Sequence, residues 1–328
     1  MPGSPLTIVP MVLMALTLAL ASGCSTTPAN QPSAIPDYTA PPLPANAVLI
    51  PPDAPILAPD TTSCGDPTAS LRPSEAGTAA RGPTLDAIRA RGRLLVGLDT
   101  GSNLFSFRDP VTGVISGFDA DIAREIAHDL LGDPNLIEFR TLGSTDRTIA
   151  LQEHTVDVVA KTMTITCQRR EKIDFSTVYL YANQHVLTVR DSGIHSVADL
   201  AGKRVCAVAG TVSLEYLRLA QPAAAILTVP TWDDCLVVLQ QRQVDAVGTE
   251  EPLLAGLAAQ DPYTELVGDS ISKEFYGIGI PKGEDDLVRF VNGTLERIRD
   301  DGTWTRLYQQ YLTELGPTPT PPSPTYRD

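Results

Sequence analysis

The amino-acid sequence predicts an α/β protein of two lobes, and three observations carry that prediction. The chain has 328 residues, room for two domains of ordinary size. From Thr84 to Leu312, short β-branched apolar runs alternate with amphipathic helical patterns, the alternation that builds βαβ units. The run Val156–Ala160 reads as a buried strand that ends in Lys161, Thr162, Met163 and Thr164, with Arg169 and Arg170 close behind. Small ligands bind at the carboxyl ends of strands in such folds. Hydroxyls two residues apart in extended chain point the same way. A guanidinium matches a carboxylate through two parallel charged hydrogen bonds. The plainer alternative for this stretch is a threonine-rich loop with solvated arginines.

The elements follow in order. Leu85–Gly92 is a short helix ended by its glycine. Arg93–Asp99 is a strand with Asp99 at its carboxyl end, and a turn comes at Asp109-Pro110. Phe118-Asp119 opens a helix whose Ile122, Ile126 and Leu130 share one face and which Gly132 stops. Asp119 and Asp121 sit where carboxylates serve caps and dipole rather than a metal. Leu136–Leu142 is the next strand, and Tyr181–Val189 closes the first lobe. The chain leaves that lobe at Arg190–Ser196. Beyond Asp199 come a strand and then Gly210-Thr211, opening a helix whose free amides suit a carboxylate. Trp232–Gln243 reads as an amphipathic helix. Val244–Gly248 is a strand ending in Thr249-Glu250-Glu251, with Pro252 starting another helix. Tyr276–Gly283 crosses back. Leu287–Leu312 forms two helices split at Gly302, with Leu287, Val291, Leu295 and Ile298 a core stripe.

The ends differ from this body. Residues 6–21 are apolar for about four helical turns, short for a membrane span and suited to a signal peptide. Ala21-Ser22-Gly23-Cys24 resembles a lipobox, although no Lys or Arg precedes the apolar run and Leu20 sits one place further from the cysteine than usual. A plain secretion signal with a chance cysteine is the alternative. Residues 25–83 are rich in Pro, Ala, Thr and Ser with little periodicity, which predicts a mostly disordered tether. The tail 316–328 reads the same way.

A formal net charge of −14 argues against a nucleic-acid partner and against attraction to an anionic bilayer surface. Arg147, Lys161 and Arg169 nevertheless gather in one stretch, a local cationic group suited to an anionic ligand. Five cysteines fit an exported protein. With Cys24 lipidated, Cys64, Cys167, Cys206 and Cys235 remain, with three possible pairings. Cys206 on a strand and Cys235 on the next helix can meet within the reach a disulfide requires. That leaves Cys64 with Cys167, pinning the end of the tether beside the ligand site. No C-x-x-C or histidine spacing indicates a metal site, a redox dithiol or a cofactor.

The run from Asp157, DVVAKTMTITCQRREKIDFS, resembles the core signature of bacterial extracellular solute-binding proteins for polar amino acids. Arg91-GRLLVGLDT, Gly117-FDADIAREIA, Asp199-LAGKRVCAVAGT, Val244-DAV, Tyr276-GIGIPKG and Val291-NGTLERIRDDGTWTRLYQQYL match the family in its order, over about residues 84–314. The resemblance implies a periplasmic-binding-protein-like type II fold with a hinge and an interlobe cleft. Lobe one would comprise residues 84–189 with 276–315, and lobe two residues 190–275. Residues 1–23 would be signal, 24–83 tether and 316–328 a disordered tail. Ligand contact with both lobes would favour the closed form.

By the same resemblance, Arg169 grips the ligand α-carboxylate, helped by the amides of Gly210, Thr211 and Val212. Thr162 and Thr164 hold the α-ammonium with Glu250, where the family usually has the shorter Asp. Trp232 belongs to the second-lobe wall. Asp99 matches the amide-accepting position of glutamine binders, whereas Ser144 and Arg147 match glutamate and aspartate binders. The aromatic pair that sandwiches glutamine is replaced by Ser102 and Ser144. Arg147 and Lys161 favour an acidic amino acid, with glutamine or asparagine as the alternative and a dehydratase-type enzyme as a more distant one. The implied partners are the amino acid, a membrane permease or membrane sensor, and the lipid bilayer through the N-terminal lipid. The implied state is a monomer on the outer face of the cell membrane.

Overall fold

The computed structural model describes residues 41–52, 54–56, 63–74 and 80–328. The apolar run 6–21 and Cys24 lie outside the described residues. The expected two-lobed α/β architecture is present. Lobe one is built on a five-stranded sheet in the order Ile137–Thr141, Leu94–Leu98, Val158–Val159, Gly279–Pro281, Ile173–Phe175. Leu94–Leu98 runs parallel to both its neighbours and is buried along its whole length. Such a strand reads as an unbroken apolar run rather than an alternation. The helix Phe118–Leu131 buries Ile122, Ile126 and Leu130 and ends at Gly132 in the left-handed region. The stripe Leu287, Val291, Leu295 and Ile298 on Asp285–Asp300 is buried, as expected of core.

Lobe two is built on a seven-stranded sheet. Arg204–Val208 lies parallel to both Ala225–Val229 and Ala246–Glu250, and Ala246–Glu250 pairs antiparallel with Leu180–Val189. Leu180–Val189 is one continuous strand of ten residues. Its first part, Leu180–Asn183, pairs with Lys273–Tyr276, and its second part, Gln184–Val189, belongs to the lobe-two sheet. This corrects the expected boundary at residue 189. The crossing between lobes falls inside the strand, and nothing in its apolar pattern marks the place. The antiparallel pair of Leu180–Asn183 and Lys273–Tyr276 forms the hinge. Behind it the Trp304 indole stands edge-on to Phe118 at 5.9 Å and donates to the Tyr179 carbonyl at 2.8 Å.

Described pieces of the two stretches expected to be disordered dock on the fold. Val48–Ile50, within the expected tether, adds an antiparallel edge strand to Ala225–Val229. Arg218 donates to the Pro55 carbonyl at 2.7 Å, and Gln243 donates to that of Pro41. Ser70 bridges Tyr326 of the expected disordered tail. The Asp328 carboxylate accepts from the Arg72 amide at 2.8 Å and pairs with Arg289 at 2.6 Å. The Asn292 carboxamide, fully buried, donates to Ser70 Oγ at 2.9 Å and to the Leu71 carbonyl at 2.7 Å. Composition averaged over the whole expected tether hides short apolar pieces such as Val48–Ile50, and an exposed sheet edge needs only such a piece to pair with.

Disulfides join Cys206 to Cys235 and Cys64 to Cys167, as the placement of the elements suggested. The first is buried within lobe two. The second fastens the tether to the start of the helix Cys167–Lys172, which carries Arg169.

Candidate ligand-binding site

A narrow, largely closed cleft lies between the lobes. Ser144, Arg147, Thr162, Thr164 and Arg169 line it from lobe one. Thr211, Val212, Trp232, Glu250 and Leu253 line it from lobe two. Nine of the twelve residues proposed from sequence therefore meet here; Asp99, Lys161 and Gly210 are not among the lining residues. Leu253 is the addition; it follows Pro252 in an apolar helix, and no sequence signal sets it apart from core.

The lobe-one wall is held by its own backbone chemistry. Thr162 has φ 39°, the left-handed region that a β-branched residue rarely adopts. Its amide donates to Asp119 Oδ2 at 2.8 Å, and the Tyr179 hydroxyl donates to Asp119 Oδ1 at 2.7 Å. The Asp119 carboxylate thus fixes the strained turn that presents both threonines. Burial pushes its carboxyl up to about 6, against the pull of those two donors. Sequence reasoning assigned Asp119 to helix capping, yet Gly117 is the cap residue and Asp119 points inward. Asp119→Ala leaves two buried donors without an acceptor, each costing about 1–3 kcal/mol. The expected outcome is a lowered denaturation midpoint together with weakened ligand binding, measured by chemical unfolding and titration.

Two guanidiniums face the cleft. Arg169 donates to the Thr164 carbonyl at 2.6 Å and, across the lobes, to the Gly210 carbonyl at 3.4 Å. Thr166 caps its helix, accepting from the Arg169 amide at 3.1 Å. Arg147 donates to the carbonyls of Ser144 at 3.0 Å, Lys161 at 3.1 Å and Gly210 at 3.3 Å. Those bonds use three of its five N–H donors. Burial, then the like charge of Arg169, pulls the Arg147 guanidinium down to about 9. Burial likewise lowers that of Arg169. An anion between them would offset both costs.

Asp99 pairs with the Lys161 ammonium and accepts from the Gly101 amide at 2.8 Å. Burial works to raise the Asp99 carboxyl, but Lys161 outweighs it and holds the group below the usual carboxylate range. Asp99 is therefore committed to a partner within the protein. From lobe two, the Gly210 carbonyl accepts from both arginines. Gly210 has φ +73°, and a Cβ there would lie 2.8 Å from Thr145 Cγ2 of lobe one. Thr211 caps the helix Val212–Ala220, which begins at the cleft. Glu250 accepts from Ser213 Oγ at 2.8 Å and from the Thr249 hydroxyl. On the hinge strand, burial and then Glu250 push the Glu274 carboxyl up to about 7; Ser272 and Thr164 hydrogen-bond to it.

Two α/β lobes joined by an antiparallel strand pair, with cations on one wall and a carboxylate on the other, define a solute-binding protein that holds a small polar molecule in its cleft. Residues 94–314 match the family of bacterial extracellular solute-binding proteins, family 3, and the chain belongs to that family. It is 34% identical over 241 residues to the ABC transporter glutamine-binding protein GlnH of Bacillus subtilis (strain 168), covering 73% of this chain and 88% of the relative. It is 29% identical over 265 residues to the glutamate-binding protein GluB of Corynebacterium efficiens, covering 77% of this chain and 84% of the relative. Among solved structures, it superimposes on the ancestral amino acid-binding protein AncCDT-1, a precursor of cyclohexadienyl dehydratase, with a TM-score of 0.65 and 33% identity; 70% of this chain and 99% of that one are covered.

Proposed function

We propose that the protein captures an acidic amino acid, glutamate or aspartate, in the cleft, and that a membrane permease or sensor reads the closed, loaded form. The observation that carries this reading is the count of charges. Arg147 and Arg169 offer two cations, and Glu250 offers one anion, while Asp99 and Lys161 neutralise each other behind them. A molecule with two carboxylates and one ammonium is the electrostatic image of that wall. In this reading Arg169 takes the α-carboxylate, and Arg147 and Ser144 take the distal one. Thr162, Thr164 and Glu250 surround the ammonium, and Trp232 with the first turn at Thr211-Val212 closes the second-lobe side. The kinship with GluB fits this assignment.

Glutamine is the second reading, and the kinship with GlnH favours it. Arg147 already donates to three carbonyls, and its remaining N–H groups suit an amide oxygen as well as a carboxylate. An enzyme is the weaker rival, resting on the likeness to a dehydratase precursor. Mass spectrometry of a long incubation decides it, since a binding protein returns its ligand unchanged. Titration with a panel of amino acids tests the ligand assignment.

We further propose that Cys24 is lipidated and anchors the protein to the outer face of the membrane. Cys24→Ala should move the protein to the soluble fraction of the cell. A variant that stays with the membrane would show that the anchor lies elsewhere.

A further inference from the structure

At the rim of the cleft, one lobe-two carboxylate is poorly placed for a charge. Asp233 sits in the first turn of the helix Trp232–Gln240. Its Oδ2 lies 2.0 Å from where a Cβ on Gly101 of lobe one would stand, so the carboxylate presses directly on that backbone. Its Oδ1 is buried and has no hydrogen-bond partner among the described residues. Asp99 and Lys161 face it from lobe one, and Asp234 adjoins it on its own helix. A side chain at 101 would have to displace that carboxylate.

We propose that Asp233 opposes closure of the lobes and thereby holds ligand affinity below what the contacts in the cleft would otherwise allow. The inference rests on the reading of the protein as a binder whose lobes close on ligand. With the lobes parted, Asp233 faces water at a helix N-terminus, a favourable place for a charge. Closure removes that water, supplies no donor to Oδ1 and brings up the negative charge of Asp99. Lys161 softens the contact but is already paired with Asp99. The balance is unfavourable: burial, then Asp99, pushes the Asp233 carboxyl up to about 6 in the closed form.

The sign follows from linkage. A carboxyl whose affinity for protons is higher in the closed form makes closure take up a proton. Closure is then easiest below about pH 4 and is progressively opposed as pH rises to about 6, beyond which the full penalty applies. Binding by the wild type should tighten about tenfold from pH 7.5 to pH 5.

Asp233→Asn keeps the shape and removes the charge. At pH 7.5 it should lower the dissociation constant of the preferred amino acid by roughly tenfold to a hundredfold, and its pH profile should be flatter than that of the wild type. Glu274 titrates in the same range and contributes to both profiles, so the difference between them isolates Asp233. Small-angle scattering gives a readout that needs no ligand: the unliganded variant should be more compact than the wild type at pH 7.5, and the wild type should contract as pH falls to 5. Equal scattering and parallel pH profiles would overturn the proposal. So would weaker binding by Asp233→Asn, which would make Asp233 an attractive partner of Lys161. Failure of the wild type to bind any amino acid, with the scattering difference intact, would instead sink the ligand assignment and leave the role of Asp233 standing.

Discussion

Arg169→Ala is expected to abolish binding of every amino acid, acidic or not. In the proposed assignment the guanidinium pairs with the α-carboxylate common to all amino acids, and it is held in place by the Thr164 carbonyl and by Thr166 at the start of its helix. Without it the α-carboxylate enters the cleft unpaired. Removing one member of a buried charge pair costs about 3–5 kcal/mol, several hundredfold or more in affinity. Arg169→Lys keeps the charge and loses the fork, so its affinity should fall between wild type and alanine. The variants should remain folded, because removing a buried guanidinium also removes the cost of its burial. Thermal unfolding separates lost binding from lost structure. Retained micromolar binding by Arg169→Ala would show that the ligand lies elsewhere in the cleft.

Arg147→Ala is expected to act on one class of ligand only. Arg147 ties together the carbonyls of Ser144, Lys161 and Gly210, so its loss loosens the wall for any ligand. That shared loss cancels in the ratio of affinities for glutamate and glutamine. What remains in the ratio is the charged contact to the distal carboxylate, about 1.5–3 kcal/mol, or roughly tenfold to more than a hundredfold against the acid. Equal losses for glutamate and glutamine would make Arg147 a brace for the loop and nothing more.

The strands, helices and cleft wall were legible because each carries a strong local signal. Leu94–Leu98 is an unbroken apolar run, Thr162-Met163-Thr164 follows a strand, and Gly132 ends an amphipathic helix at the expected residue. The chain order of βα units and the family resemblance placed Ser144, Arg147, Arg169, Thr211 and Glu250 on opposing walls. What was not legible depends on distant partners. Asp119 looks like any first-turn carboxylate, and only the fold reveals that it holds the strained Thr162 amide. Asp233 is one of two adjacent acids at a helix start. Its neighbour Asp234 completes the capping box with Thr231, while Asp233 meets a glycine far earlier in the chain, Gly101. The hinge inside Leu180–Val189 leaves no mark because the strand pattern runs on through both halves without a break. The docked pieces at Val48–Ile50 and Tyr326 were hidden by the proline-rich composition around them, which is unsuited to a core of its own yet sufficient to pair with a sheet edge or bridge a neighbour.

Calorimetric titration of the wild-type protein at pH 7.5 with glutamate, aspartate, glutamine and asparagine tests the central claim most directly. A free amino acid has about ten heavy atoms, and the best small ligands reach roughly −1.5 kcal/mol per atom. Micromolar affinity needs only about −8 kcal/mol, so a few charged contacts in a closed cleft suffice. Glutamate or aspartate should bind in the micromolar range or tighter, and ahead of its own amide. Tight binding of glutamine with no heat from either acid would contradict the charge-image account of the cleft.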